Sequence, residues 1–196
     1  MSKVHHLTSP FSEEVIRSLH AGDTVYFDGP LFGIRDLTQI HIFDHHNPPP
    51  VSLEGMPCIH TAPSLRKVGD KWEKICVGTT STRMDRFTPG LIGQYGVRAI
   101  IGKGGLYQGS LDAMQKYGAV YLAIVGGAAA LETEQIEEVE AVYFEELHPE
   151  ALYRFRVKNF GPLTVAMDSH GVHLYDQVTE NVKKKLPEIY AKLGVL

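Results

Sequence analysis

Cysteine is nearly missing from this sequence: 196 residues contain two, Cys58 and Cys76, each inside an apolar run. So few thiols exclude a disulfide framework, and equally a metal cluster held by this chain's cysteines alone; both are expected to be buried, reduced and structural. A basic surplus is missing too. With 19 Lys and Arg against 23 Asp and Glu, the formal net charge is -4, so no nucleic-acid partner is expected and any positive site must be local. No apolar run reaches the length of a membrane span, and the start Met1-Ser2-Lys3-Val4-His5-His6 lacks the apolar region of a secretory signal. The expected setting is the cytoplasm, away from the membrane. There is no internal repeat and no low-complexity tract. What remains, 43% hydrophobic and 21% charged residues, has the composition and length of one globular domain with a real core.

The pattern of apolar residues then divides the chain. Ser9-Pro10 reads as a helix start, with Phe11, Val15, Ile16 and Leu19 on one face and an end near Ala21-Gly22. A strand is expected over 24–27, and Gly29-Pro30 should break it before a second helix carrying Ile34, Leu37, Ile40 and Phe43, with Arg35 and Asp36 in its first turn. His46-Asn47-Pro48-Pro49-Pro50 must be a loop, because consecutive prolines remove donors and fix an extended backbone. Strands follow over 58–61, 64–68 and 72–77, with Gly69-Asp70 as the hairpin turn between the last two. Strands over 99–101 and 120–125 alternate with helices over 88–95 and 110–116, which reads as a parallel βαβ unit. Residues 136–166 are strand-rich, and 183–193 close as a helix that Pro187 should start or kink. The sum is an α/β fold, one domain with a mixed sheet.

Two segments carry the chemistry. In Gly78-Thr79-Thr80-Ser81-Thr82-Arg83-Met84-Asp85 hydroxyls crowd before an arginine. Thr80 or Ser81 could simply cap the helix toward Phe87, but a cation in that helix's first turn opposes the dipole and points to an anion shared between guanidinium and helix terminus. The second segment, Gly102-Lys103-Gly104-Gly105, lies between an apolar strand and a helix, where its glycines let backbone approach a ligand and Lys103 supplies a point charge. It has neither P-loop nor dinucleotide spacing. The ligand these loops fit is small and negatively charged.

Histidines offer a competing metal reading, since His41 and His45 stand at i,i+4 with Asp44 and His46 beside them. A third spaced ligand is lacking, so a solvated cluster beside the prolines is expected instead, with no metal bound. His170, in Asp168-Ser169-His170-Gly171, is a turn candidate.

Taken in order, Gly33-Ile34-Arg35-Asp36, Leu53-Glu54-Gly55 to Ala62-Pro63, Thr79-Thr80-Ser81-Thr82-Arg83-Met84-Asp85, Gly102-Lys103-Gly104-Gly105 and Asn159-Phe160-Gly161-Pro162-Leu163 resemble the β subunit, or C-terminal domain, of class I fumarases and L(+)-tartrate dehydratases. The resemblance runs over nearly the whole chain. It implies a swivelling β/β/α domain and an iron–sulfur hydro-lyase whose [4Fe-4S] cluster sits on a separate α subunit, not on this chain. It further implies a small dicarboxylate substrate and a hetero-oligomer with two α/β pairs. Carried over by position, Arg35, Thr79, Arg83 and Lys103 match the family's substrate-site residues: Arg35 and Arg83 for the remote carboxylate, Lys103 for charge that develops in the reaction, and Thr79 as the candidate base. Arg83-Met84-Asp85 is nearer the fumarase form than the glutamate version of tartrate dehydratases. The sequence departs from the pattern at Gln39, where relatives commonly carry histidine, and at Ala62, where they carry glycine.

Overall fold

The computed structural model describes residues 2–69, 71–75, 78–125 and 132–195. Its elements run β1 (Val4–Thr8), α1 (Glu13–Arg17), β2 (Thr24–Ile34), α2 (Asp36–Phe43), β3 (Pro57–His60), β4 (Ser64–Val68) and β5 (Lys71–Ile75). They continue through α3 (Thr88–Tyr95), β6 (Ala99–Gly102), α4 (Gln108–Tyr117), β7 (Val120–Ala123), β8 (Ile136–Tyr143), β9 (Leu152–Met167) and α5 (Leu174–Leu193).

Strands β3, β6 and β7 are short apolar runs buried almost throughout, as expected for parallel strands covered on both faces. Alternate side chains divide between two cores. Ile59, Ala99, Ile101, Val120 and Leu122 point into one with Phe27, Leu31 and Phe155, while Cys58, Ile100 and Tyr121 point into the other with Leu91, Ile92 and Met114 of α3 and α4. Because both faces are packed, a ligand can reach each strand's ends and not its middle.

Among the described residues the main sheet orders its seven strands β1-β2-β3-β6-β7-β9-β8. Neighbours from β1 to β7 pair in parallel, whereas β9 runs antiparallel to β7, β8 and β2. Because β9 pairs with both β7 and β2, the sheet closes into a barrel. The α/β class, the mixed sheet and the βαβ unit through β6, α4 and β7 agree with the sequence reading. β4 and β5 pair antiparallel, Ser64 opposite Ile75; Asp70, Cys76 and Val77 lie outside the described residues.

Several boundaries differ. Gly29-Pro30 does not break β2, which continues to Ile34 and so takes Ile34 out of the following helix. β1 pairs with β2 only as far as Asp28 and β3 begins at Phe32, so Pro30 lies where that edge of β2 has no neighbouring strand and its missing donor costs little. Ser9 fills the gap, its N–H donating to the Asp28 carbonyl at 2.9 Å and its hydroxyl to the Pro30 carbonyl at 2.6 Å. The first helix starts at Ser12, not Ser9-Pro10, since the Ser12 hydroxyl accepts the Val15 N–H. Within the strand-rich region, β9 is continuous, with Gly161-Pro162 inside it. α5 begins at Leu174, capped by His173, and contains Pro187. No helix among the described residues is long and apolar enough to cross a membrane.

Candidate functional site

Three neighbouring parallel strands end side by side. β2 ends at Ile34 and the chain passes directly into Arg35, β3 ends at His60, and β6 ends at Gly102 with Lys103 next. The carboxyl ends of parallel strands are where α/β sheets gather ligand-binding loops. The hydroxyl-rich segment is fastened across these ends: the Thr79 N–H donates to the His60 carbonyl at 2.8 Å, the Ser81 N–H donates to the Lys103 carbonyl at 2.9 Å, and Thr80 bridges Lys103 in parallel. Arg35, Thr79, Arg83 and Lys103 thus stand on adjoining loops at one end of the sheet.

Asp36 organises the two arginines. Arg83 Nε lies 2.9 Å from Asp36 Oδ1 and 2.8 Å from Oδ2, and its Nη2 donates to Thr79 Oγ1 at 3.4 Å. Arg35 Nε is 3.5 Å from Asp36 Oδ2 and 3.7 Å from Glu150 Oε1. Glu150 is itself held by the start of α2, where the Leu37 N–H donates to Oε2 at 2.8 Å and the Thr38 hydroxyl donates to the Glu150 carbonyl. A carboxylate suits that position, because Arg35 occupies the N-cap and supplies no acceptor. Behind Arg35, buried Gln39 donates its amide to the Arg35 carbonyl at 3.3 Å. Lys103 has no hydrogen bond or ion pair for its ammonium group among the described residues. With Lys103 on the adjoining loop, the site carries three cations against two carboxylates, which leaves positive charge over for an anion.

Sequence reasoning missed the layer beneath. His60, Ser81 and Tyr121 are buried together, with His60 Nδ1 2.8 Å from Ser81 Oγ and the Tyr121 hydroxyl donating to the same oxygen at 3.1 Å. Ser81 does precede a 3-10 helix, Thr82–Phe87, yet its side chain makes no capping bond; it turns inward to the imidazole instead. Burial presses the His60 imidazole down to about 4, against a smaller upward pull from Asp36 and a downward push from Arg83. A histidine closing an apolar strand, Cys58-Ile59-His60, was the available signal. Glu150 left none, because its distance in sequence from Arg35 hides the contact.

The remaining candidates go elsewhere. Asp85 Oδ1 accepts from the Tyr107 N–H at 2.8 Å and from the Ser110 hydroxyl at 2.6 Å, so it caps α4, whose own N-cap residue Tyr107 offers no acceptor. His41 packs edge-on against Phe144 with ring centroids 4.6 Å apart and lies 6.2 Å from His45. His170 stacks on His20 and its Nε2 is 2.9 Å from the Arg17 carbonyl oxygen. The hollow of about 680 Å³ lined by Pro49, Leu53, Glu54, Gln94 and Tyr95 contains none of the cations. The Arg83 side chain is instead 44% exposed.

An iron–sulfur cluster does not fit the residues present here. Cys58 is fully buried, which pushes its thiol up to about 12, so it is no thiolate ligand, and Cys76 lies outside the described residues. Among the described residues no group of three or more His, Cys, Asp or Glu could hold a metal ion.

Comparison with known proteins adds an independent line. A family model described as "Fumarase C-terminus" matches residues 2–178. The L(+)-tartrate dehydratase subunit beta of Escherichia coli strain K12 is 40% identical over 179 residues, covering 90% of this chain and 88% of that protein. A protein of Methanocaldococcus jannaschii named "Putative L(+)-tartrate dehydratase subunit beta" is 39% identical over 180 residues, 89% of this chain and 92% of that one. A "Putative fumarate hydratase class I" of Geobacillus stearothermophilus is 37% identical over 189 residues, which are 95% of this chain but 36% of that protein.

Proposed function

This chain belongs to the fumarase C-terminus family, and from that premise we propose that it is the β subunit of a hydro-lyase acting on a four-carbon dicarboxylate. Fumarate is the substrate we assign, with water added across its double bond to give (S)-malate. Residues 1–196 act as one domain, in the cytoplasm, paired with an α subunit in a complex of two α/β pairs. The iron–sulfur cluster would belong to that partner and supply Lewis-acid chemistry there.

The observation that carries this reading is the convergence of Arg35, Arg83 and Lys103 at the ends of adjacent strands, with the Thr79 hydroxyl beside Arg83. A planar guanidinium fork suits a carboxylate, and two forks sharing Asp36 are held at a fixed spacing before substrate arrives. In the hydration, the carbon next to a carboxylate gains a proton while its neighbour gains hydroxyl. Charge that spreads into the carboxylate on the way is stabilised by the Lys103 ammonium and the guanidinium groups, which are already in place. The Thr79 hydroxyl is assigned the proton on that carbon. Its weakness as a base is offset by the Arg83 cation 3.4 Å away, which favours the alkoxide form.

A second reading, L(+)-tartrate as substrate, is favoured by the names of the same-length relatives from Escherichia coli and Methanocaldococcus jannaschii. The hydroxy diacids of the two reactions, malate and tartrate, differ by one hydroxyl, a difference that the pocket walls of the whole complex decide. The test is turnover by the chain reconstituted anaerobically with its α subunit, followed by loss of fumarate absorbance and by loss of L(+)-tartrate. We expect activity from the complex on fumarate and none from this chain alone. An intact, cluster-loaded complex that turns over neither diacid would sink the enzyme reading.

A further inference from the structure

His60 and Ser81 together tie the loop that carries Thr79 and Arg83 to the end of β3 and to the Lys103 loop. The His60 carbonyl accepts from Thr79 N–H, His60 Nδ1 meets Ser81 Oγ at 2.8 Å, and the Ser81 N–H reaches the Lys103 carbonyl at 2.9 Å. Space has been kept for this contact. A Cβ at Gly102 would lie 1.9 Å from Ser81 Oγ, so glycine at that position answers a close approach and not a turn.

The hydroxyls around Ser81 favour one tautomer of His60. Tyr121 Oη and His60 Nδ1 both meet Ser81 Oγ; with Tyr121 as donor, the Ser81 hydroxyl proton is free to go to Nδ1. The ring proton of neutral His60 then sits on Nε2. That atom is buried and has no hydrogen-bond partner among the described residues. An unpaired buried donor lowers stability, whereas a phenyl ring of similar size would fill the space without it. Stability alone therefore does not favour histidine here.

We propose that His60 is a positioning residue for the dicarboxylate reaction: acting through Ser81, it sets the spacing between the Thr79 and Arg83 loop and the Lys103 loop. This rests on the function assigned above. His60 does not touch the substrate; it fixes how far apart the groups stand that do. Misplacing such groups by about 1 Å costs up to ~10²-fold in rate, so a change in the buried tie should be read out at the exposed cations.

The experiment uses the α/β complex with His60→Phe and His60→Gln. With Phe, we expect kcat/KM on the preferred diacid to fall at least ~10-fold, chiefly through KM, while the unfolding temperature stays at or above that of the parent. Gln, which can still accept from Ser81, should recover activity to within ~3-fold of the parent. Full activity in the Phe variant overturns the proposal, and so does an activity loss that tracks loss of folded protein without rescue by Gln. If the Phe variant does not fold, the Gln variant and the ring nitrogens decide: long-range proton–nitrogen spectra of labelled parent protein should show Nε2 protonated and Nδ1 not, and the opposite pattern overturns the relay. A parent complex inactive on both diacids is the separate failure of the assigned function, and the proposal falls with it.

Discussion

Arg83 grips Asp36 with its Nε between both carboxylate oxygens, 2.9 Å and 2.8 Å away, so the guanidinium expected to bind a substrate carboxylate already rests on one of the protein's own. The pair is too exposed to contribute much stability, under about 1 kcal/mol. Its role is orientation. Asp36→Asn should leave the unfolding free energy within ~1 kcal/mol of the parent yet raise KM about tenfold in the α/β complex. Chemical denaturation and steady-state kinetics on the same preparations check both halves, and an unchanged KM would remove Asp36 from the site.

Thr79 offers a sharper chemical test, because its hydroxyl accepts from Arg83 while its backbone is fixed to His60. Thr79→Val keeps the shape and removes the oxygen; Thr79→Ser keeps the oxygen. We expect Val to lower kcat by ~10² or more, the scale of general base catalysis, and Ser to stay within about tenfold. Equal kcat in the two variants would reduce Thr79 to a spacer.

Asp85 makes a prediction about stability and not chemistry. Since its carboxylate caps α4 through Tyr107 N–H and the Ser110 hydroxyl, Asp85→Ala should cost about 1–2 kcal/mol, the range for a lost N-cap. Asp85→Asn should cost less. Urea unfolding of the three proteins measures this, and an Ala variant as stable as the parent would show that α4 needs no cap.

His60 gives a pH dependence with a definite sign. Its imidazole takes up a proton near 6.5 when unfolded but only near 4 when buried, so between those values the unfolded chain binds more protons. Stability is then complete above about pH 6.5 and falls as pH drops toward 4, by about 3 kcal/mol from this group. Unfolding free energies from pH 7 to 4 should show a steeper decline for the parent than for His60→Gln. Parallel curves would contradict the buried neutral histidine.

The parts legible in the sequence were those fixed by local pattern. Apolar runs at β3, β6 and β7 are visible because both their faces are buried, and α3 and α4 because their apolar residues recur at helical spacing. The juxtaposition of Thr80 with Lys103 was foreseen only as two loops of similar chemistry. What stayed hidden depended on distant partners. Pro30 reads as a break until β1 and β3 are seen to leave that edge of β2 free, and Ser81 reads as a cap until His60 and Tyr121 are seen to claim its hydroxyl. Glu150 enters the site from the turn before β9, which pairs with the end of β2, Gly33 opposite Tyr153, and no spacing rule connects it with Arg35.

On the proposed function, Arg83 binds the substrate carboxylate in both ground and transition states. The most direct test is kcat/KM of the α/β complex carrying Arg83→Ala, measured on whichever diacid the parent complex turns over. We predict a fall of at least ~10²-fold, the scale of losing one fixed charge-stabilising donor. Near-parental kinetics in that variant would contradict the claim.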